Sequence, residues 1–167
     1  MEEELDLIDS IRGLQFQAFD FQGYRAKRRI AEFGLEYNFS TRNASGAADL
    51  PGFLLPLRDR AAAFAGIAPA EIAESIVTEY PPSAPMGWHR DVPQFETIIG
   101  ISLAGQGWMR LKPYKAPGKV LSLLLKPRSI YVMSGESRWG WQHSIVAVES
   151  LRYSITFRTL RARSTSR

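Results

Sequence analysis

The stretch "RYSITFR" (Arg152–Arg158) alternates without a break, with Tyr153, Ile155 and Phe157 on one side and Arg152, Ser154, Thr156 and Arg158 on the other. A strict period of two marks a β-strand, whose successive side chains leave opposite faces. One face is apolar and needs a core. The other carries two guanidiniums six residues apart, roughly 20 Å when fully extended. The planar guanidinium fork suits bidentate bonds to carboxylates, although an arginine-rich chain also produces this spacing on an exposed edge.

Upstream of this strand the same kind of signal recurs at 73–80, 96–103, 106–112, 120–125, 129–133 and 141–147. Gly- and Pro-bearing segments such as "PPSAP", "AGQG", "KPYKAPGK" and "SGES" separate most of these runs. Many short strands between frequent turns point to a sandwich or barrel. The N-terminal part differs. Leu5, Ile8 and Ile11 have helical spacing over 2–13, and Leu54, Leu57, Ala61 and Phe64 share a face over 53–66. Between the helices, 14–21 reads as extended, 28–40 as strand and turn punctuated at Gly34, and 41–52 as a loop. The expected class is mainly β with N-terminal helices that buttress the sheet. There is no repeat and no boundary, so 1–167 reads as a single domain, with a basic tail at 161–167.

The chain has 167 residues, 45% hydrophobic and 23% charged, which is ordinary for a globular domain able to bury a core. The absence of cysteine excludes disulfides, iron–sulfur clusters, Cys-ligated zinc and thiol nucleophiles. The start, "MEEELDLIDSIRGL", is acidic where a secretory signal would be basic. No apolar run approaches the roughly 18–20 residues that cross a bilayer. The expectation is a cytoplasmic protein with no membrane partner. The net charge is +4, with much of the surplus in "RAKRR" (25–29) and in the tail "RTLRARSTSR" (158–167). Such patches can hold phosphate backbones.

"GWHRDVPQF" (87–95) holds His89 and Asp91 one residue apart, so on an extended segment both point the same way. The only other histidine, His143, lies on a strand candidate in "RWGWQHSI" (138–145). Two histidines and a carboxylate with open positions form the facial triad of non-haem Fe(II) oxygenases. A zinc hydrolase can use the same ligands, and an isolated His-x-Asp is often only a polar loop.

Taken together, "WHRD", "WQHSI" and "RYSITFR" resemble the AlkB family of Fe(II)- and 2-oxoglutarate-dependent dioxygenases, in the family's order and most strongly over 76–160. "GISLAG" (100–105) resembles the family strand after the HxD loop. "RRIAEFGLEYNFS" (28–40) resembles, more loosely, the substrate lid. The resemblance implies a double-stranded β-helix, or jelly roll, with a catalytic core at 76–160 and the helices and lid at 1–75. It implies Fe(II) on His89, Asp91 and His143. Arg152 would hold the distal carboxylate of 2-oxoglutarate. Arg158 would sit near the other carboxylate or the metal-binding aspartate. Tyr80 and Ser154 would add cosubstrate contacts. Thr78 departs from a common Asn, and Pro93 stands where the bacterial prototype has an acidic residue that meets the base. The chain also starts inside the family's first helix.

The implied reaction consumes O2 and 2-oxoglutarate and hydroxylates a C–H bond, typically an N-methyl group lost as formaldehyde. The implied partner is alkylated DNA or RNA, acted on by a monomer. A flipped base is commonly held between aromatic side chains. Phe33 and Tyr37 are the preferred lid residues, with Trp88, Trp139 and Trp141 as further candidates. Arg25, Lys27, Arg28 and Arg29, in a hairpin over 19–29, are the candidates for phosphate contacts. The alternatives are a 2-oxoglutarate oxygenase acting on a protein side chain, lipid or small molecule, and a catalytically silent nucleic-acid-binding domain.

Overall fold

In the computed structural model of the chain, the strand that contains "RYSITFR", β11 (Arg152–Leu160), lies inside the larger of two antiparallel sheets. The structure describes residues 2–21, 24–38, 43–46 and 49–162, with side chains at all of these except 20, 21, 24, 36–38 and 43–46. The order begins α1 (Glu2–Arg12), β1 (Gln17–Phe21), β2 (Tyr24–Asn38), β3 (Asn43–Gly46), α2 (Leu55–Ala65), β4 (Ile72–Tyr80) and β5 (Met86–His89). It continues β6 (Phe95–Ala104), β7 (Gly107–Pro113), β8 (Leu121–Leu125), β9 (Ser129–Met133), α3 (Gly135–Trp139), β10 (Trp141–Ile145) and β11. The larger sheet runs β1-β2-β4-β11-β6-β9, with β3 on the far part of β2. The smaller runs β5-β10-β7-β8. This is the jelly-roll class expected from the sequence.

The alternation of β11 decides which layer goes where. Tyr153, Ile155 and Phe157 are buried with Val77, Ile99, Ile101 and the helix residues Ile8, Ile11, Leu57 and Ala61. Each large apolar side chain taken from water here contributes about 1.5–3 kcal/mol. The opposite face looks toward the smaller sheet, where Tyr80, Met109, Leu125 and Ile145 form a second cluster. The carboxylate of Glu4 ties α1 down by accepting from the Ala104 N–H and the Arg128 guanidinium.

Four local expectations change. β2 passes straight through Gly34, whose φ of +86° and 2.3 Å clearance between a built Cβ and the Ala73 carbonyl oxygen admit only glycine. Residues 43–46 pair with 35–38 rather than forming loop, because backbone pairing does not need apolar side chains. Phe64 stays exposed; α2 ends at Gly66 and turns Ala65 to the core in its last turn. The "SGES" turn opens the short helix α3. Among the described residues, no helix is long and apolar enough to cross a membrane.

Candidate active site

β5 and β10 pair antiparallel with His89 opposite His143, so both imidazoles leave the same face, with ring centroids 4.3 Å apart. Asp91 follows β5. Its Oδ1 lies 3.7 Å from His89 Nε2 and 3.5 Å from His143 Nε2. These distances are too long for hydrogen bonds and suit donors converging on one ion. One ligand atom from each residue lies within 4.8 Å of the others. His89 Nδ1–H donates to the Gly87 carbonyl at 2.9 Å, which leaves Nε2 with its lone pair. Burial, then the neighbouring His89, lowers His143 to about 4, so its ring is neutral at physiological pH. The donor set fits Fe(II): two imidazoles and one carboxylate oxygen.

The other carboxylate oxygen is already engaged. Arg158 Nε donates to Asp91 Oδ2 at 2.7 Å, and its Nη1 donates to Glu74 Oε2 at 2.8 Å. Burial alone would raise Asp91, but Arg158, His143 and His89 outweigh it and hold the carboxyl well below its ordinary range. Burial raises Glu74 from 4.5 to about 7 in spite of Arg158. Arg158 remains charged, because Asp91 and Glu74 overcome its desolvation.

At the other end of the same strand face, Arg152 is 1% exposed. Its Nε donates to Ser102 Oγ at 2.9 Å, its guanidinium lies 5.1 Å above the Tyr80 ring, and its buried Nη1 has no partner. A Cβ on Gly107 would come within 3.1 Å of Arg152 Cδ and Nε. Ser154 lies in register between Thr78 and Ser102, a row of three hydroxyls beside Arg152. A buried guanidinium with an unmet N–H fits a carboxylate-bearing ligand.

A cavity of about 550 Å³ opens over His89 and Asp91, between β2, β4 and the HxD loop. Ala26, Arg28, Ile30 and Glu32 of β2 line it, with Phe19, Ile76, Met86, Trp88 and Arg158. The placement of substrate residues therefore differs from expectation. Arg28 and Trp88 reach the cavity. Phe33 does not: alternation along β2 puts odd-numbered residues on the helix side, and Phe33 is buried in that core. For the same reason Arg29 faces away and pairs with Glu79 at 2.7 Å, and neither Arg25 nor Lys27 lines the cavity. The side chain of Tyr37 and residues 163–167 of the tail lie outside the described residues. Trp139 donates to Glu96 and is covered by Arg138 and Arg161, and Trp141 does not line the cavity.

Two functional residues were missed. Arg138 of α3 is 3% exposed, and its Nη2 donates to the carbonyls of Asp91, Val92 and Phe95 at 3.2, 2.8 and 2.9 Å. It clamps the HxD loop to the segment just before His143. Tyr131 lies over Gly100, where a Cβ would meet its Cζ at 2.2 Å. Burial pushes its phenol up to about 12, in spite of the charge of Arg152. No alternation or motif flags either residue.

Residues 17–158 match the 2OG-Fe(II) oxygenase superfamily. The chain belongs to that superfamily, and it is an AlkB-like member. It is 31% identical over 145 residues to an Arabidopsis thaliana "Alkylated DNA repair protein ALKBH8 homolog", covering 72% of this chain and 42% of the relative. It is 42% identical over 53 residues to the Bos taurus "Alpha-ketoglutarate-dependent dioxygenase alkB homolog 7, mitochondrial", covering 32% of this chain and 24% of the relative. The chain thus spans less than half the length of these curated relatives. The fold of this superfamily member superposes on "The structure of OsALKBH1" with a TM-score of 0.75 at 15% identity, over 95% of this chain and 92% of that one. The cofactors of the superfamily are Fe(II), 2-oxoglutarate and O2.

Proposed function

We propose that the chain is a Fe(II)- and 2-oxoglutarate-dependent dioxygenase that oxidatively demethylates alkylated bases in DNA or RNA. The observations that carry this reading are two open valences on one strand-lined interior: three converging metal donors, and, at the far end of the β11 face from Arg158, a buried arginine N–H without a partner. His89, Asp91 and His143 would hold the iron. Arg152, with Ser154 and Tyr80, would hold the far carboxylate of 2-oxoglutarate. When bound, iron and cosubstrate supply the oxidising equivalent from O2, and succinate and carbon dioxide leave.

The chain's own residues place and shield. Arg158 occupies Asp91 Oδ2 and so presents Oδ1 to the metal. Arg138 fixes the loop that carries Asp91. The apolar walls Phe19, Ile30, Ile76 and Met86 exclude water and fit the flat face of a base. Arg28 and Trp88 stand at this cavity as substrate contacts. The support for a nucleic-acid substrate is the family of relatives and the basic charge; residues 1–160 would act as one catalytic unit.

The test is an anaerobic titration of apoprotein with Fe(II) and 2-oxoglutarate, read by the visible metal-to-ligand charge-transfer band, followed by formaldehyde release from methylated oligonucleotides. The band should appear in wild type and vanish in His89→Ala. No band would reject the oxygenase reading. A band without nucleic-acid-stimulated turnover would reject the substrate.

A further inference from the structure

From Thr97 to Gly135 the chain contains no aspartate or glutamate, yet it carries Arg110, Lys112, Lys115, Lys119, Lys126 and Arg128. Arg128 is tied to Glu4. Among the described residues, none of Arg110, Lys112, Lys115 and Lys119 forms a salt bridge. These four belong to the β7–β8 arm, which thus holds as many uncompensated charges as the net +4 of the whole chain. The expectation had placed the surplus at 25–29 and in the tail.

We propose that the outer face of this arm is a docking track for a single nucleic-acid strand, leading to the cavity. Register puts Trp108 opposite Leu124 and Arg110 opposite Ser122, so Trp108, Arg110 and Lys112 share one face. Trp108 is 46% exposed there. Lys112 and Arg110 lie 4.4 and 5.2 Å over the Trp88 ring. Arg90 lies 3.6 Å over Tyr114, with Lys115 on the same ring at 5.2 Å. Trp88 and Arg90 also line the cavity, so the row of cations and rings is continuous with its mouth.

A row of cations interleaved with aromatic rings is what a single strand needs: phosphates on the charges, bases against the rings. A lipid surface fits less well. The exposed leucines of the arm, Leu121 and Leu123, pair with Leu111 and Met109 and so belong to the opposite face. One flat membrane cannot meet both. The choice of polymer rests on the nucleic-acid reading given above; the location of the track does not.

The experiment uses the full chain and a fluorescein-labelled, unmethylated single-stranded DNA 12-mer, with anisotropy read from 50 to 300 mM salt. Replacing Arg110, Lys112, Lys115 and Lys119 by glutamine should weaken binding at least about tenfold and reduce the slope of log K against log salt by about 2–3. Trp108→Ala should weaken binding about fivefold or more with the slope unchanged, because a ring contributes stacking rather than charge. The charge-transfer band must survive in the four-residue variant, as proof of its fold. Unchanged affinity and slope in that variant would overturn the inference. So would wild-type capture by phosphatidylserine vesicles without binding of the oligonucleotide. Arm-dependent binding without turnover of any methylated strand would support the track and reject the demethylase reading.

Discussion

Arg152 and Arg158 leave the same face of the same strand, yet their surroundings are opposite in kind. Arg158 is saturated: two carboxylates, Asp91 and Glu74, take its Nε and Nη1. Arg152 is the more deeply buried of the two, but it has only a hydroxyl partner, and one of its nitrogens bonds to nothing in the protein. A guanidinium paired by its own chain is a structural part, and here it would orient the aspartate proposed as a metal ligand. A guanidinium left incomplete in the interior has the chemistry to take an anion, the role proposed above for Arg152. Spacing cannot distinguish the two; partners can.

The contrast between the two arginines is testable at four points. The largest effect belongs to the triad that both arginines serve. His143→Ala should abolish Fe(II) binding and bring 2-oxoglutarate turnover to background; succinate formation that persists would end the assignment. Next, Arg158→Gln removes the one cation between two buried carboxylates, so urea unfolding should show a loss of about 3–5 kcal/mol. Arg152→Leu is the counterpart: its stability should change by less than about 1 kcal/mol, or rise, because a polar atom with no partner is lost. Its KM for 2-oxoglutarate should instead rise tenfold or more, about 1.4 kcal/mol. Equal destabilisation by the two variants would erase the distinction.

The smallest effect is one of pH. Glu74 is raised from 4.5 to about 7 in the folded protein, so between those values the native state holds a proton that the unfolded chain has released. Its contribution therefore favours the fold at low pH and is lost as pH rises toward 7. His143, lowered from 6.5 to about 4, acts oppositely and costs stability as pH falls below 6.5. In the metal-free protein, the urea midpoint of wild type minus that of Glu74→Gln should grow as pH drops from 7.5 to 5.5. A constant difference would mean that Glu74 is ionised throughout.

The strands with alternating or continuous apolar runs were legible in the sequence, and 129–133 was read with its observed bounds. His89, Asp91 and His143, expected from the sequence as metal ligands, converge in the fold, and only two histidines compete for that role. Less was legible where side-chain chemistry does not encode the outcome. β3 is held by backbone pairing of a polar segment. Phe33 was read as lid by resemblance, but the parity of β2 sends it to the core. Arg138 works through carbonyls, which no residue pattern advertises. The acid-free run from Thr97 to Gly135 was in plain view, and its meaning came only with the register that lines its cations along one face.

β8 closes the smaller sheet and, among the described residues, has no strand beyond it. Its sequence, "LSLLL", is short, apolar and uncharged, with Leu121 and Leu123 exposed. Such an edge is a template on which a second molecule can add a strand, the first step of fibril growth. Lys119 just before it and Lys126 just after it are gatekeepers, whose like charges keep two edges apart. The same arm therefore sets the colloidal behaviour of the protein. Acetylation of its lysines should turn a stable solution into one that forms thioflavin-positive aggregates, with residues 121–125 as the protease-resistant core.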